Sequence, residues 1–148
     1  VHALVLALHE NDKNAKRVSD SLKLSGHDVV LSKNFLHAIE VLKNMHVDLI
    51  VSDVHLENGG TVFDFLRWAR SSPSTRNTPF VMLDTEPTRA AKHVEDAVRT
   101  AARVLGASMY ISMEIFNSEE FRKKIDSLLP AMEQTNEATS RSGKQHDS

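Results

Sequence analysis

The sequence predicts an α/β domain: five strands in a parallel sheet, wound on both faces by five helices. Three observations carry this. Five short apolar or β-branched runs alternate with five longer stretches whose apolar residues recur every three or four positions. Two of the runs, Ala3–Leu8 and Val47–Val51, are apolar at nearly every position, as strands buried on both faces must be. The chain has 148 residues, enough for one such domain with a sizeable core. Right-handed crossovers then allow the strand order 2-1-3-4-5.

Taken in order, the strands are expected at Ala3–Leu8, Asp28–Leu31, Val47–Ser52, Pro79–Leu83 and Ser108–Ser112. The first helix shows Ala15, Val18 and Leu22 on one face, with Asp12 as its N-cap. Asn34 caps the second, which carries Phe35, Leu36, Ile39, Val41 and Leu42. Phe63, Phe65, Leu66 and Ala69 mark the third. The fourth is long, running through Ala90, Val94, Val98 and Ala101 to a stop at Gly106. Asn117 to Glu120 open the fifth, and Pro130 ends it. The domain thus occupies residues 1–130. Residues 131–148 hold one large apolar residue, Met132, among polar and charged ones, and read as a disordered tail or linker.

Composition narrows the function classes. There is no cysteine, which removes disulfides, thiol catalysis and cysteine-held zinc. Formal net charge is −2, so no global field draws the chain to nucleic acid or acidic lipid. No apolar run approaches the roughly 18 residues of a membrane span. Nothing resembles a nucleotide loop, a G-x-S-x-G elbow or a nucleophile–base pair, so an enzyme is not expected.

In an open parallel sheet, ligands bind beyond the carboxyl ends of the strands. The residues there are His9, Glu10, Asn11 and Asp12 after the first strand, Asp53, Val54 and His55 and then Glu57, Asn58, Gly59 and Gly60 after the third, Asp84 and Thr85 after the fourth, and Met113 and Glu114 after the fifth. Carboxylates converging on one edge repel unless a cation sits among them or one stays protonated.

These segments resemble the receiver domains of two-component response regulators, over about Ala3 to Leu129. DLIVSDV (Asp48 to Val54) looks like a receiver's third strand ending in its phosphoacceptor, here Asp53. SGHDV (Ser25 to Val29) and LGASMYIS (Leu105 to Ser112) look like the joints into the second and fifth strands, the latter with the aromatic switch position at Tyr110. The resemblance implies a flavodoxin-like fold, a signalling role in a phosphorelay, a cytoplasmic location, and a sensor histidine kinase or an output protein as partner, with a homodimer as a further option.

The departures from the receiver pattern bear on function. His9 and Glu10 stand where receivers place two magnesium-binding acids, and magnesium prefers oxygen ligands, so Mg2+ binding is expected to be weak. Asp84 replaces a Thr or Ser hydroxyl donor, and Met113 replaces a lysine. Removing one donor to a developing oxyanion costs ~2–4 kcal/mol, so two such losses slow phosphoryl transfer by orders of magnitude. The expectation is a degenerate receiver with Asp53 vestigial or weak. Glu10, Asp53 and His55 form the candidate metal set, for weak Mg2+ or, with His9, a transition metal. The alternative function is a cofactor-binding module, because Asp53-Val54-His55 is similar to the D-x-H-x-x-G signature of corrinoid-binding domains. Asn58 stands where that signature has glycine, and Gly59 comes one place late. The remaining histidines show no ligand spacing, and the charges of the fourth helix read as a solvated face or an output surface.

Overall fold

The computed structural model describes residues 2–85 and 89–129, with side chains for residues 2–85 and 94–129. The expected tail at 131–148 and Pro130 lie outside the described residues, as do the side chains of Arg89, Lys92 and His93. Elements follow in the order β1 (Leu4–Leu8), α1 (Asp12–Leu24), β2 (Asp28–Ser32), α2 (Phe35–Asn44), β3 (Leu49–Asp53), α3 (Val62–Ser71), β4 (Phe80–Asp84), α4 (Arg89–Val104) and β5 (Met109–Ser112). A final helix, α5, covers residues 118–129. All four strand pairings are parallel, and the order is β2-β1-β3-β4-β5.

Side-chain alternation along the strands builds two cores. Val5, Ala7, Val51, Val81 and Leu83 face α1 and α5, where Val18, Leu22, Phe121 and Ile125 meet them. Leu6, Leu8, Ile50, Phe80 and Met82 face the other way, onto Ala38 and Leu42 of α2, Phe65 and Leu66 of α3, and Ala102 of α4. Both faces of every central strand are therefore dry, which is why those strands carry so few polar residues.

Side-chain caps set most helix starts. The α1 cap is Asn11, whose Oδ1 accepts from Asn14 N at 3.0 Å, and not Asp12, which instead sits in the first turn near the positive end of the helix dipole. Asn34 caps α2, as expected, and Asn117 accepts from Glu120 N at the start of α5. Thr61 and Asp64 form a reciprocal capping box on α3. Gly106 ends α4 at φ +105°, and a Cβ there would lie 3.0 Å from Arg70 Nε, so both conformation and space require glycine.

Candidate functional site

The register brings the ends of β1, β3 and β4 to one edge, with Leu8 opposite Ser52, Asp53 opposite Leu83 and Asp84 opposite Ser112. Ladder bonds continue one residue beyond the strands: His9 N donates to Ser32 O, Val54 N to Leu83 O and Met113 N to Asp84 O. The side chains that follow are held by the sheet itself and not by free loops.

Asp53 is 6% exposed at the floor of a cavity of about 510 Å3. Its Oδ1 accepts from His55 N at 3.0 Å, the side-chain turn by which aspartate bends a chain leaving a strand. His9 Nδ1 lies 3.9 Å from Asp53 Oδ2. His9 is buried where a loop histidine would be solvated, because its backbone prolongs the β1–β2 ladder. Neither of its ring nitrogens has a hydrogen-bond partner among the described residues.

The candidate ligand set Glu10, Asp53 and His55 shares this cavity without forming a metal cage. Both Glu10 oxygens accept backbone N–H groups, from Glu57 at 2.8 Å and Asn58 at 2.9 Å, so the carboxylate clamps the loop after β3 and is oriented by it. His55 turns away from Asp53, its Nε2 3.1 Å from Asp84 Oδ1, with the histidine half exposed and the carboxylate buried. Among the described residues no three His, Asp or Glu side chains are placed to hold a metal ion. The residues present therefore do not fit a tight magnesium site, which needs oxygen ligands converging near 2.1 Å.

Asp84 is buried at the end of β4, facing His55. Met113 is buried in the α1–α5 core beside Phe121 and Ile125, so the chain after β5 presents an apolar side chain to the core and no cation to the cavity. Tyr110 is half-buried, and the Arg99 guanidinium lies 4.8 Å from its ring centroid while Arg99 Nη1 donates to Tyr110 O. Burial, with the charges of Asp84 and Glu95, pushes the Tyr110 hydroxyl up to about 12, against the opposing pull of Arg99.

Sequence reasoning places Asn58 and Thr85 at this edge but misses Asn14, and all three line the cavity. Asn14 is buried, and its Oδ1 has no partner among the described residues. The available signal was its place in the first turn of α1, which points at the strand ends.

No protein-family model matches the chain. The polar-differentiation response regulators DivK of Brucella ovis and Brucella anthropi are each 24% identical over 111 residues, covering 75% of this chain and 84% of theirs. The chemotaxis response regulator CheY4 of Vibrio cholerae superposes with a TM-score of 0.73 at 25% identity, over 86% of this chain and 98% of that one. The receiver domain of the sensor histidine kinase PA1611 of Pseudomonas aeruginosa, whose structure holds a magnesium ion in the active-site cleft, shares the fold at TM-score 0.70 and 16% identity, over 86% of this chain and 97% of that one. Fold and relatives agree: the chain is similar to CheY-like receiver domains of the response-regulator class. It is a signalling module of two-component type on a flavodoxin-like (βα)5 fold. The corrinoid or transition-metal alternative finds no support: none of these relatives is named for such a cofactor, and the histidine it needs is engaged with Asp84.

Proposed function

We propose that this receiver signals through constitutive protein contacts, with Asp53 at most a weak phosphoacceptor. The carrying observation is what the strand ends on the same edge as Asp53 supply: a buried carboxylate, Asp84, at the end of β4 and a core methionine, Met113, after β5. Phosphoryl transfer to a carboxylate depends on neutralising charge that builds on the phosphoryl oxygens. Asp84 repels that charge and Met113 does nothing for it. Magnesium, seen in the PA1611 receiver, is expected to bind weakly here, because His9 stands where an oxygen ligand is wanted and no three acidic or histidine side chains converge among the described residues.

The partners are those of the class, a sensor histidine kinase or an output protein in the cytoplasm, with a second copy of the chain as a further option. No described helix is long and apolar enough to cross a membrane. No catalytic turnover is required of the domain. Tyr110, held under Arg99, stays in one setting, since a population that no ligand favours differentially does not shift.

Incubation with acetyl phosphate and magnesium tests the reading by intact mass. Little or no acyl phosphate is expected on Asp53, and near-complete modification within minutes would overturn it. The pair Asp84→Thr and Met113→Lys should raise the yield more than either change alone, because both act on the same developing charge. Partner pull-down should be unchanged by Asp53→Ala.

A further inference from the structure

The loop after β3 carries the only Asn-Gly pair in the sequence, Asn58-Gly59. Asparagine is among the chemically labile side chains, because its carbonyl carbon lies within reach of the next backbone nitrogen. Attack requires a side-chain amide and a following N–H that no hydrogen bond holds, and little bulk on the following residue. Asn58-Gly59 meets each condition. Asn58 is exposed, its side chain makes no hydrogen bond with any described residue, and only its backbone N–H is held, by Glu10 Oε2 at 2.9 Å. The Gly59 N–H donates to no described residue, and glycine has no Cβ to crowd it.

The other described asparagines fail on at least one count. Asn11, Asn34 and Asn117 spend Oδ1 on helix caps, and Asn44 Nδ2 donates to Glu40 O. Asn14 is buried within α1, and the N–H after Asn77, that of Thr78, donates to Thr75 O at 2.9 Å. Asn58 also stands at a sensitive place, since it lines the cavity over Asp53 beside Glu10 and Glu57.

We propose that Asn58 is a self-modifying site, converted through a succinimide with Gly59 N into aspartate and isoaspartate at the edge of the cavity over Asp53. Gly59 N forms a bond to Asn58 Cγ and gives up its proton, while the Cγ–Nδ2 bond breaks and ammonia leaves. Water then opens the ring. Cleavage at Cγ gives aspartate, and cleavage at the backbone carbonyl carbon gives isoaspartate, with the chain now running through Cγ. Nothing is oxidised or reduced, and water is the only co-reactant. The product carboxylate sets a like charge beside Glu10 and weakens its hold on the Glu57 and Asn58 amides. The change is slow, runs one way, and does not depend on phosphorylation of Asp53.

Incubation of the full chain in 18O-labelled water, at mildly alkaline pH and physiological temperature, tests this by peptide mapping. The peptide containing residue 58 should exchange its amide for a labelled oxygen and resolve into aspartyl and isoaspartyl forms on electron-transfer fragmentation. Asn58→Gln should abolish the conversion, because the longer side chain must close a larger, slower-forming ring. The folded chain should convert within about tenfold of the rate in urea, since no hydrogen bond has to break first. A larger slowing, or faster labelling at Asn77 or Asn117, would overturn the site. For the effect on the loop, Asn58→Asp stands in for the product. Hydrogen-exchange protection of the Glu57 amide, corrected for the intrinsic rate of each sequence, should fall about two- to fivefold, the size of an exposed charge–charge effect. Unchanged protection would overturn the coupling to Glu10.

Discussion

The two ends of the sheet treat buried polar groups in opposite ways. At the amino-terminal ends of the strands they are tied. The buried His27 takes Ala3 N on Nδ1 and faces Asp126 with Nε2, which fixes the neutral tautomer with its proton on Nε2. Asp48 accepts from Leu4 N, and Ser108 accepts from Phe80 N. Arg70, half-buried, donates to the carbonyls of Gly106, Thr75 and Thr78. At the carboxyl ends stand Asp53 and Asp84, both buried, and three of the four buried side-chain atoms that lack a partner among the described residues. One end holds the strands in register; at the other, the His9 ring nitrogens and Asn14 Oδ1 have no hydrogen-bond partner among the described residues. A rigid lower edge is what lets the upper edge carry unsatisfied groups without losing its geometry.

That contrast breaks most visibly at Arg70. Arg70→Ala removes three donors to carbonyls from one side chain and should lower unfolding free energy by about 4 kcal/mol in a urea titration, given roughly 1.5–3 for each bond to a charged group and partial rescue by water. A loss below 1 kcal/mol would mean the lower edge is not held this way. His27→Phe comes next, at about 2 kcal/mol, since it strands the Ala3 N–H in a buried position. At the upper edge the sign reverses. His9→Leu should be neutral or stabilising by about 1 kcal/mol, because it removes polar atoms that have no hydrogen-bond partner among the described residues. A marked destabilisation there would show that the His9–Asp53 contact carries stability after all.

The smallest effect is the titration of Tyr110, the only tyrosine in the chain, which makes phenolate absorbance a clean readout. Its hydroxyl rises from 10.0 to about 12 in the folded state, through burial first and the Asp84 and Glu95 charges after it. The folded chain thus holds this proton more tightly than the unfolded chain does. The associated stability is complete below pH 10 and is lost as pH rises toward about 12. Half-maximal absorbance change near pH 10 would place the hydroxyl in open water.

The architecture could be read from the sequence because it rests on periodicity. Alternating and doubly apolar runs specify strands with two covered faces, and three- and four-residue spacing specifies the helices that cover them, so the observed strands fall within two residues of those expected. Asp53, Asp84, Tyr110 and Met113 could be placed for a related reason. They follow strands, and in a parallel sheet strand ends share one edge. The cap of α1 was misplaced by one residue because Asn11 and Asp12 are both good caps, and only backbone geometry chooses between them.

What only the tertiary structure decided is which groups are already engaged. Glu10 looks like a metal ligand in the sequence, and the loop after β3 folds back so that two amides donate to its oxygens and orient it. His55 looks like a companion of Asp53 two residues away, yet its ring faces Asp84, thirty-one residues further along from Asp53. His9 looks like a candidate ligand and Asn14 like an ordinary polar residue near a helix start, and folding buries both, leaving the His9 ring nitrogens and Asn14 Oδ1 without a hydrogen-bond partner among the described residues. Residue type reports which hydrogen bonds a side chain is able to make; whether they are made depends on contacts between segments far apart in the chain, and these have no local signature.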